Sequence, residues 1–270
     1  MKKITKLVIP VAGLGTRFLP VTKAVPKAMM PILDKPVLQY LLEDALRSGI
    51  TDVCIVLNHD QDMIRDYFTH KPKLEEKLNE RGKNKAIETL NYVIDHMNIH
   101  YIYQDEPLGS GHAILLAKDF IGNEPFMVMY GDSFFLGKYP ITLELQKAYT
   151  QYNCNIIGAS EVELQEVNKY GMLILDEGDE DRILGIVEKP ALRETPSLLA
   201  CNGTYILNPS IFKELEKIKK VSDEYLFTDA LFRLMRKEEF YVGKTDSVFY
   251  DIGNMNGYVK AQQDAYKVLK

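Results

Sequence analysis

The sequence predicts an α/β fold: a Rossmann-like, mainly parallel central sheet flanked by helices, with a smaller β portion in its second half. Three observations carry this. Short apolar runs at 7–9, 53–57, 99–103 and 126–130 have the length of strands buried on both faces. Amphipathic segments with helical spacing, at 37–48, 111–120 and 143–152, alternate with those runs. Beyond Cys154 the apolar runs shorten and are joined by hairpin signals or polar loops.

Taken in order, the first run ends in Ala12-Gly13-Leu14-Gly15-Thr16, followed by Arg17, with Pro26-Lys27 ten residues on. The helix over 37–48 stops at Gly49, a residue suited to a helix C-terminus. Residues 71–96 are rich in charge and predict two solvated helices split near Gly82, a surface that could also serve as a subunit contact or a cap. His96 and His100 have no third ligand beside them, so no metal site is read there. In the second half, 172–175 and 183–187 flank the turn Asp176-Glu177-Gly178-Asp179. Further strands are read at 204–207 and 247–250, a helix with an early proline at 209–217, and a closing helix at 257–269. With no internal repeat and no low-complexity linker, residues 1–270 read as one domain.

Composition narrows the function classes. A chain with 46% hydrophobic and 26% charged residues can bury a full core. Its net charge of -5 argues against a nucleic-acid binder or a lipid-surface binder. Cys54, Cys154 and Cys201 cannot all pair within one chain, and all lie in or beside apolar stretches. The N-terminal apolar run is too short for a signal peptide and none is long enough to span a membrane. A cytoplasmic protein with reduced thiols is expected.

The chemistry concentrates in a few segments. A strand that ends in small residues leaves backbone N–H groups uncovered, so Ala12, Gly13, Gly15 and Thr16 can receive a phosphate that Arg17 and Lys27 help to neutralise. The loop is not a Walker loop, and Phe18 stands where the dinucleotide fingerprint needs its third glycine. An ordinary strand turn is the bland alternative. Asp132 and Asp251 each follow an apolar strand, where paired carboxylates can hold one Mg²⁺; singly, each could be a turn residue or a cap. Gln104 to His112 could present an amide and backbone groups to the edge of a base, or be a loop capped by Ser110. Glu188 can accept from two sugar hydroxyls and Lys189 can hold a phosphate, although the pair could be only an exposed strand end.

The line AGLGTRFLPVTKAVPKAMMPILDKPVLQY resembles the signature of sugar-1-phosphate nucleotidylyltransferases, and within them the bacterial UTP–glucose-1-phosphate uridylyltransferases. The likeness recurs to about Tyr258. It implies a nucleotidyltransferase or glycosyltransferase-A-like fold, with a nucleotide-binding half over 1–153 and a sugar-binding and C-terminal half over 154–270. It implies catalytic roles for Arg17 and Lys27, and nucleotide contacts from Ala12, Gly13, Gly15, Thr16, Gln104 and Gly109. Gly171, Glu188, Lys189 and Asn202 would hold the sugar phosphate, and Asp132 and Asp251 would hold Mg²⁺. The implied substrates are UTP and glucose 1-phosphate, with a homodimer or homotetramer as the assembly and no nucleic-acid or membrane partner. Thr228-Asp229-Ala230 also matches a family segment. Ser133 stands where the uridylyltransferases have a second acidic residue, and Ser110 where they usually have leucine. These departures keep open dTTP or another hexose phosphate as substrate, and a nucleotide-sugar-binding paralogue without catalysis.

Overall fold

The computed structural model describes residues 3–221 and 223–269; Met1, Lys2, Ser222 and Lys270 lie outside them. Its strands are β1 (Lys6–Pro10), β2 (Pro31–Ile32), β3 (Lys35–Pro36), β4 (Asp52–Leu57), β5 (Asn98–Tyr103), β6 (Phe126–Met129), β7 (Ser133–Leu136), β8 (Asn155–Glu161), β9 (Gly171–Asp176), β10 (Asp179–Glu188), β11 (Leu199–Leu207), β12 (Phe240–Lys244) and β13 (Val248–Asp251). Successive side chains of a strand point to opposite faces, and here both faces are covered. Leu7 and Ile9 of β1 enter one apolar cluster and Val8 the other. Val53, Ile55 and Leu57 of β4 part from Cys54 and Val56 in the same way. In β6, Met127 and Met129 part from Phe126 and Val128. Helix Val37–Arg47 supplies Val37, Leu38, Leu41, Leu42 and Ala45 to the first cluster, a stripe at helical spacing.

Nine strands form one sheet in the order β5-β4-β1-β6-β11-β8-β12-β10-β9. From β5 to β6 every pairing is parallel. The chain leaves β1 toward β4 and β5 and then returns to β1's other side as β6. The order reverses there, and the loops after β1 and β6 open onto one crevice, where open α/β sheets collect ligands.

Beyond β6 the sheet departs from the mainly parallel arrangement expected of it. β11 runs antiparallel to β6 and β8, and β10 antiparallel to β9 and β12; only β12 and β8 are parallel. The reason is connectivity. A short turn after Asp176 can join β9 to β10 only antiparallel, whereas burial on both faces looks the same in either direction. Five strands absent from the sequence reading also appear, β2, β3, β7, β8 and β12, and β11 begins five residues before the run read at 204–207. Residues 228–230 lie within helix Phe227–Met235, whose Phe227, Ala230, Leu231 and Leu234 are buried.

Residues 72–96 do form two helices, Pro72–Glu80 and Asn84–His96. A further ribbon lies outside the main sheet: β13 pairs antiparallel with β7, Asp251 opposite Ser133 and Val248 opposite Leu136.

Asp44, buried at the end of helix Val37–Arg47, holds the start of helix Ile141–Tyr152. Its carboxylate accepts from the amides of Ile141 and Thr142, both at 3.1 Å, and from Thr142 Oγ1 at 2.5 Å. Asp44→Ala leaves the Ile141 and Thr142 amides without an acceptor, while the Thr142 hydroxyl keeps the Asp44 carbonyl at 3.0 Å, and should lower stability by about 1–3 kcal/mol in urea unfolding.

Candidate active site

A cavity of about 590 Å³ occupies the crevice at the ends of β1 and β6. The loop after β1 forms one wall, with Ala12, Gly13, Gly15, Thr16 and Arg17. Its carbonyls are turned toward the protein: Asn58 Nδ2 donates to Ala12 O at 2.9 Å, Gln61 Nε2 to Val11 O at 2.8 Å, and Thr22 Oγ1 to Gly15 O at 2.9 Å. Among the described residues, the amides of Ala12, Gly13, Gly15 and Thr16 meet no acceptor. Gly15 has φ +63°, and a Cβ there would stand 3.1 Å from Thr22 Cγ2, so a side chain would meet both strain and crowding. The result is a row of donors facing open space, flanked by the exposed Arg17. Asn58 and Gln61 were not singled out from the sequence; their position just past the end of β4 was the available signal.

Lys27 opens a short helical turn, Lys27–Met29, and its Nζ is ion-paired with Asp132, which follows β6. Asp251 also ends a strand, but in the β7–β13 ribbon rather than in the central sheet, a correction to its expected placement. Because Asp251 lies opposite Ser133, the ribbon sets it beside Asp132, and the Ile252 amide donates to Asp132 O at 3.0 Å. Gly253 caps the arrangement. A Cβ on it would stand 2.6 Å from Asp251 Oδ1, 2.8 Å from Asp132 Oδ2 and 2.9 Å from Lys27 Nζ. Two hard carboxylate oxygens thus converge on one point, with few protein ligands around them. That donor set suits a divalent cation that takes its remaining ligands from water and phosphate. No cluster of three or more acidic, His or Cys ligands occurs among the described residues.

Ser133 takes no part in that convergence. It is buried, and its hydroxyl donates to Asn202 O at 3.0 Å. Gly203, at φ +80°, lies so close that a Cβ would reach within 2.5 Å of Ser133 Oγ.

The opposite wall carries Gln104, Pro107, Gly109, Ser110 and Glu224. Gly109 and Gly111 permit a close backbone approach, and the approaching backbone is the protein's own. A Cβ on Gly111 would stand 2.7 Å from Tyr225 O, which accepts from the Gly111 amide at 3.0 Å. Ser110 makes no side-chain cap on helix Gly109–Leu116; it accepts from Tyr130 OH at 3.3 Å. Burial, then the charges of Asp132 and Glu188, keep the Tyr130 phenol protonated, so the hydroxyl remains a donor.

Glu188 and Gly171 lie opposite each other in the β9–β10 pair, since the start of one antiparallel strand meets the end of the other. A Cβ on Gly171 would stand 3.1 Å from Glu188 Oε2. Lys189 adopts φ +47°, and its Nζ stands 3.9 Å from Glu188 Oε1. The Tyr170 ring packs edge-on against Phe249 of β13 at 6.0 Å, tying this side to Asp251. Asn202 differs from its neighbours in the proposed sugar set. It is 0% exposed, donating to Ser160 Oγ at 3.2 Å and accepting from Thr204 Oγ1 at 2.6 Å, and it offers a ligand no surface.

Fold and cavity together define an α/β protein with a crevice, lined by bare loop amides, Arg17, Lys27 and Asp132, at the end of its parallel strands. The family model described as nucleotidyl transferase matches residues 6–268, and the chain belongs to that family. It is 42% identical over 266 residues to the UTP–glucose-1-phosphate uridylyltransferase YngB of Bacillus subtilis (strain 168), covering 97% of this chain and 90% of that protein. Its fold is similar to the crystal structure of an apo UDP-glucose pyrophosphorylase, with TM-score 0.92, 36% identity and 98% of each chain covered. A UDP-glucose pyrophosphorylase complexed with UDP-glucose gives TM-score 0.86 at 36% identity, covering 98% of this chain and 99% of that one.

Gly253→Ala should force the two carboxylates and Lys27 apart while leaving the sheet intact. Divalent-cation affinity, titrated calorimetrically, is expected to fall about tenfold or more with little change in melting temperature.

Proposed function

We infer that this protein is a UTP–glucose-1-phosphate uridylyltransferase, making UDP-glucose and pyrophosphate. The observation that carries this is the cavity itself, in which the row of free loop amides with Arg17 faces Lys27 and Asp132, with Asp251 close beside Asp132 at Gly253. The 42% identity to a curated uridylyltransferase over nearly the whole chain supports the same reaction.

In the proposed mechanism an oxygen of glucose 1-phosphate attacks the α-phosphorus of UTP in line. A new phosphorus–oxygen bond forms as the bond to the β-phosphate breaks, and pyrophosphate leaves with that electron pair. The substrate phosphate is itself the nucleophile, so no covalent enzyme intermediate is needed. Cys201, close to the sugar side, is unsuited to that role because burial pushes its thiol up to about 12. What remains for the protein is to align two anions and offset their repulsion. The amides of Ala12, Gly13, Gly15 and Thr16, with Arg17, hold the β and γ phosphates. Lys27 exchanges part of its contact with Asp132 for the reacting phosphate. Gln104 and Gly109 read the base. Gly171 leaves room for the sugar, Glu188 accepts from its hydroxyls, and Lys189 binds its phosphate; Asn202 acts from behind by fixing the strand. Asp132 and Asp251 would hold Mg²⁺, which when bound supplies further charge neutralisation at the phosphate oxygens.

In the same reading residues 1–270 act as one domain, with 1–153 serving the nucleotide and 154–270 the sugar. The protein works in the cytoplasm as a homodimer or homotetramer. Among the described residues no helix is long and apolar enough to cross a membrane.

Pyrophosphate release with Mg²⁺ and glucose 1-phosphate, run with UTP and dTTP in parallel, tests the reading. Strong preference for UTP is expected; preference for dTTP would reassign the base, and no release with either would leave a nucleotide-sugar binder. Lys27→Ala should lower kcat by the equivalent of about 2–4 kcal/mol in the barrier with the melting temperature preserved. Glu188→Ala should raise KM for glucose 1-phosphate far more than KM for UTP, and equal effects would remove Glu188 from the sugar site.

A further inference from the structure

Gln104 is 3% exposed, yet it lines the cavity. A carboxamide has two N–H donors and one carbonyl acceptor, and its surroundings decide which end is free. Gly109 O can only accept, so the nitrogen end of the amide must face it, at 3.1 Å. The same nitrogen stands 2.9 Å from His112 Nδ1. One N–H then goes to each partner, and Nδ1 must be the unprotonated nitrogen of the ring. Both donors are used, and Oε1 accepts no hydrogen bond among the described residues.

We propose that His112 is a positioning residue that locks Gln104 with its carbonyl oxygen toward the base, so that the site accepts a pyrimidine with N3–H and rejects one with a bare N3. The inference rests on the uridylyl-transfer reading and adds to it the source of discrimination between uracil and cytosine. Without an acceptor at His112, one N–H of Gln104 loses its partner and Gly109 O alone is left to hold the nitrogen end, so the amide is less firmly kept from turning its nitrogen into the cavity. That orientation would oppose the N3–H of uracil and suit the N3 of cytosine.

The surroundings of His112 favour the form that accepts. Its ring stacks on Tyr225 at 6.1 Å between centroids. Burial first, then the charge of Lys220, holds His112 below the usual imidazole range, against the opposite pull of Asp105 and Glu106. The neutral ring therefore persists into mildly acid solution. Protonation at lower pH would set N–H against N–H and release the amide.

The test is calorimetric binding of UTP and CTP, with pyrophosphate release measured alongside, for the wild type, His112→Leu and His112→Asn. The wild type should favour UTP, and His112→Leu should cut the UTP-to-CTP affinity ratio by about tenfold or more, with KM for glucose 1-phosphate unmoved. His112→Asn, which can return an acceptor oxygen near the Nδ1 position, should recover most of the ratio. The wild-type ratio should also fall as the pH is lowered through the depressed titration of His112, while that of His112→Asn stays flat. An unchanged ratio in His112→Leu, or equal wild-type affinity for the two nucleotides, overturns the lock. If His112→Leu fails to fold, a pH-independent wild-type ratio overturns it instead. Tight, selective UTP binding without pyrophosphate release would sink the transferase reading alone, and the binding ratios would still decide the lock.

Discussion

The ion pair between Lys27 and Asp132 is the interaction around which the site is arranged. The site gathers like charges, because the carboxylates of Asp132 and Asp251 both crowd onto Gly253. Lys27 stands beside Asp132, and both side chains are only partly exposed, so neither charge is left without a partner. The pair is not sealed off from water. A phosphate can therefore enter and share the ammonium group without stripping a fully desolvated partner. Stability in the resting state and reactivity with substrate depend on the same contact.

Two distant parts of the chain have to agree for that contact to matter. The parallel strands place the phosphate loop and Asp132 at one end of the sheet, at the point where strand order reverses. The β7–β13 ribbon then brings in Asp251, and Gly253 lets the three charged ends come close. Asn58, Gln61 and Thr22 complete the design from outside the cavity. By occupying the carbonyl side of the loop, they leave its amide side for an anion.

Much of this was legible in the sequence. The runs that became β1, β4 and β6 are apolar on both faces, a pattern that burial by helices demands, whereas β5, expected to match them, is an edge strand with none of its residues fully buried; the glycine loop after β1 follows from the need for bare backbone. Lys27, Asp132 and Asp251 were candidates on their residues alone, and the resemblance joined them into one set. Strand direction beyond β6 was legible only at the β9–β10 hairpin, whose turn stands in the sequence; elsewhere alternation of side chains is blind to it. The ribbon was hidden for a related reason: β7 and β13 are short, and only their pairing across the molecule gives either of them a meaning. Asn202 shows the limit of a motif. Its position beside Gly203 suggested a ligand, whereas the hydroxyls of Ser160 and Thr204 draw its amide into the sheet. Ser110 and Ser133 turned out to serve Tyr130 and the Asn202 carbonyl.

The ribbon also orders events during synthesis. A ribosome delivers the phosphate loop, Lys27 and Asp132 long before β13, and domains take shape as the chain emerges. A nascent chain that has not yet released β13 therefore carries the glycine loop, Lys27 and Asp132 but only one of the two carboxylates. The converging pair is complete only with the final strand, after the Gly171–Glu188 pair of β9 and β10 has been made.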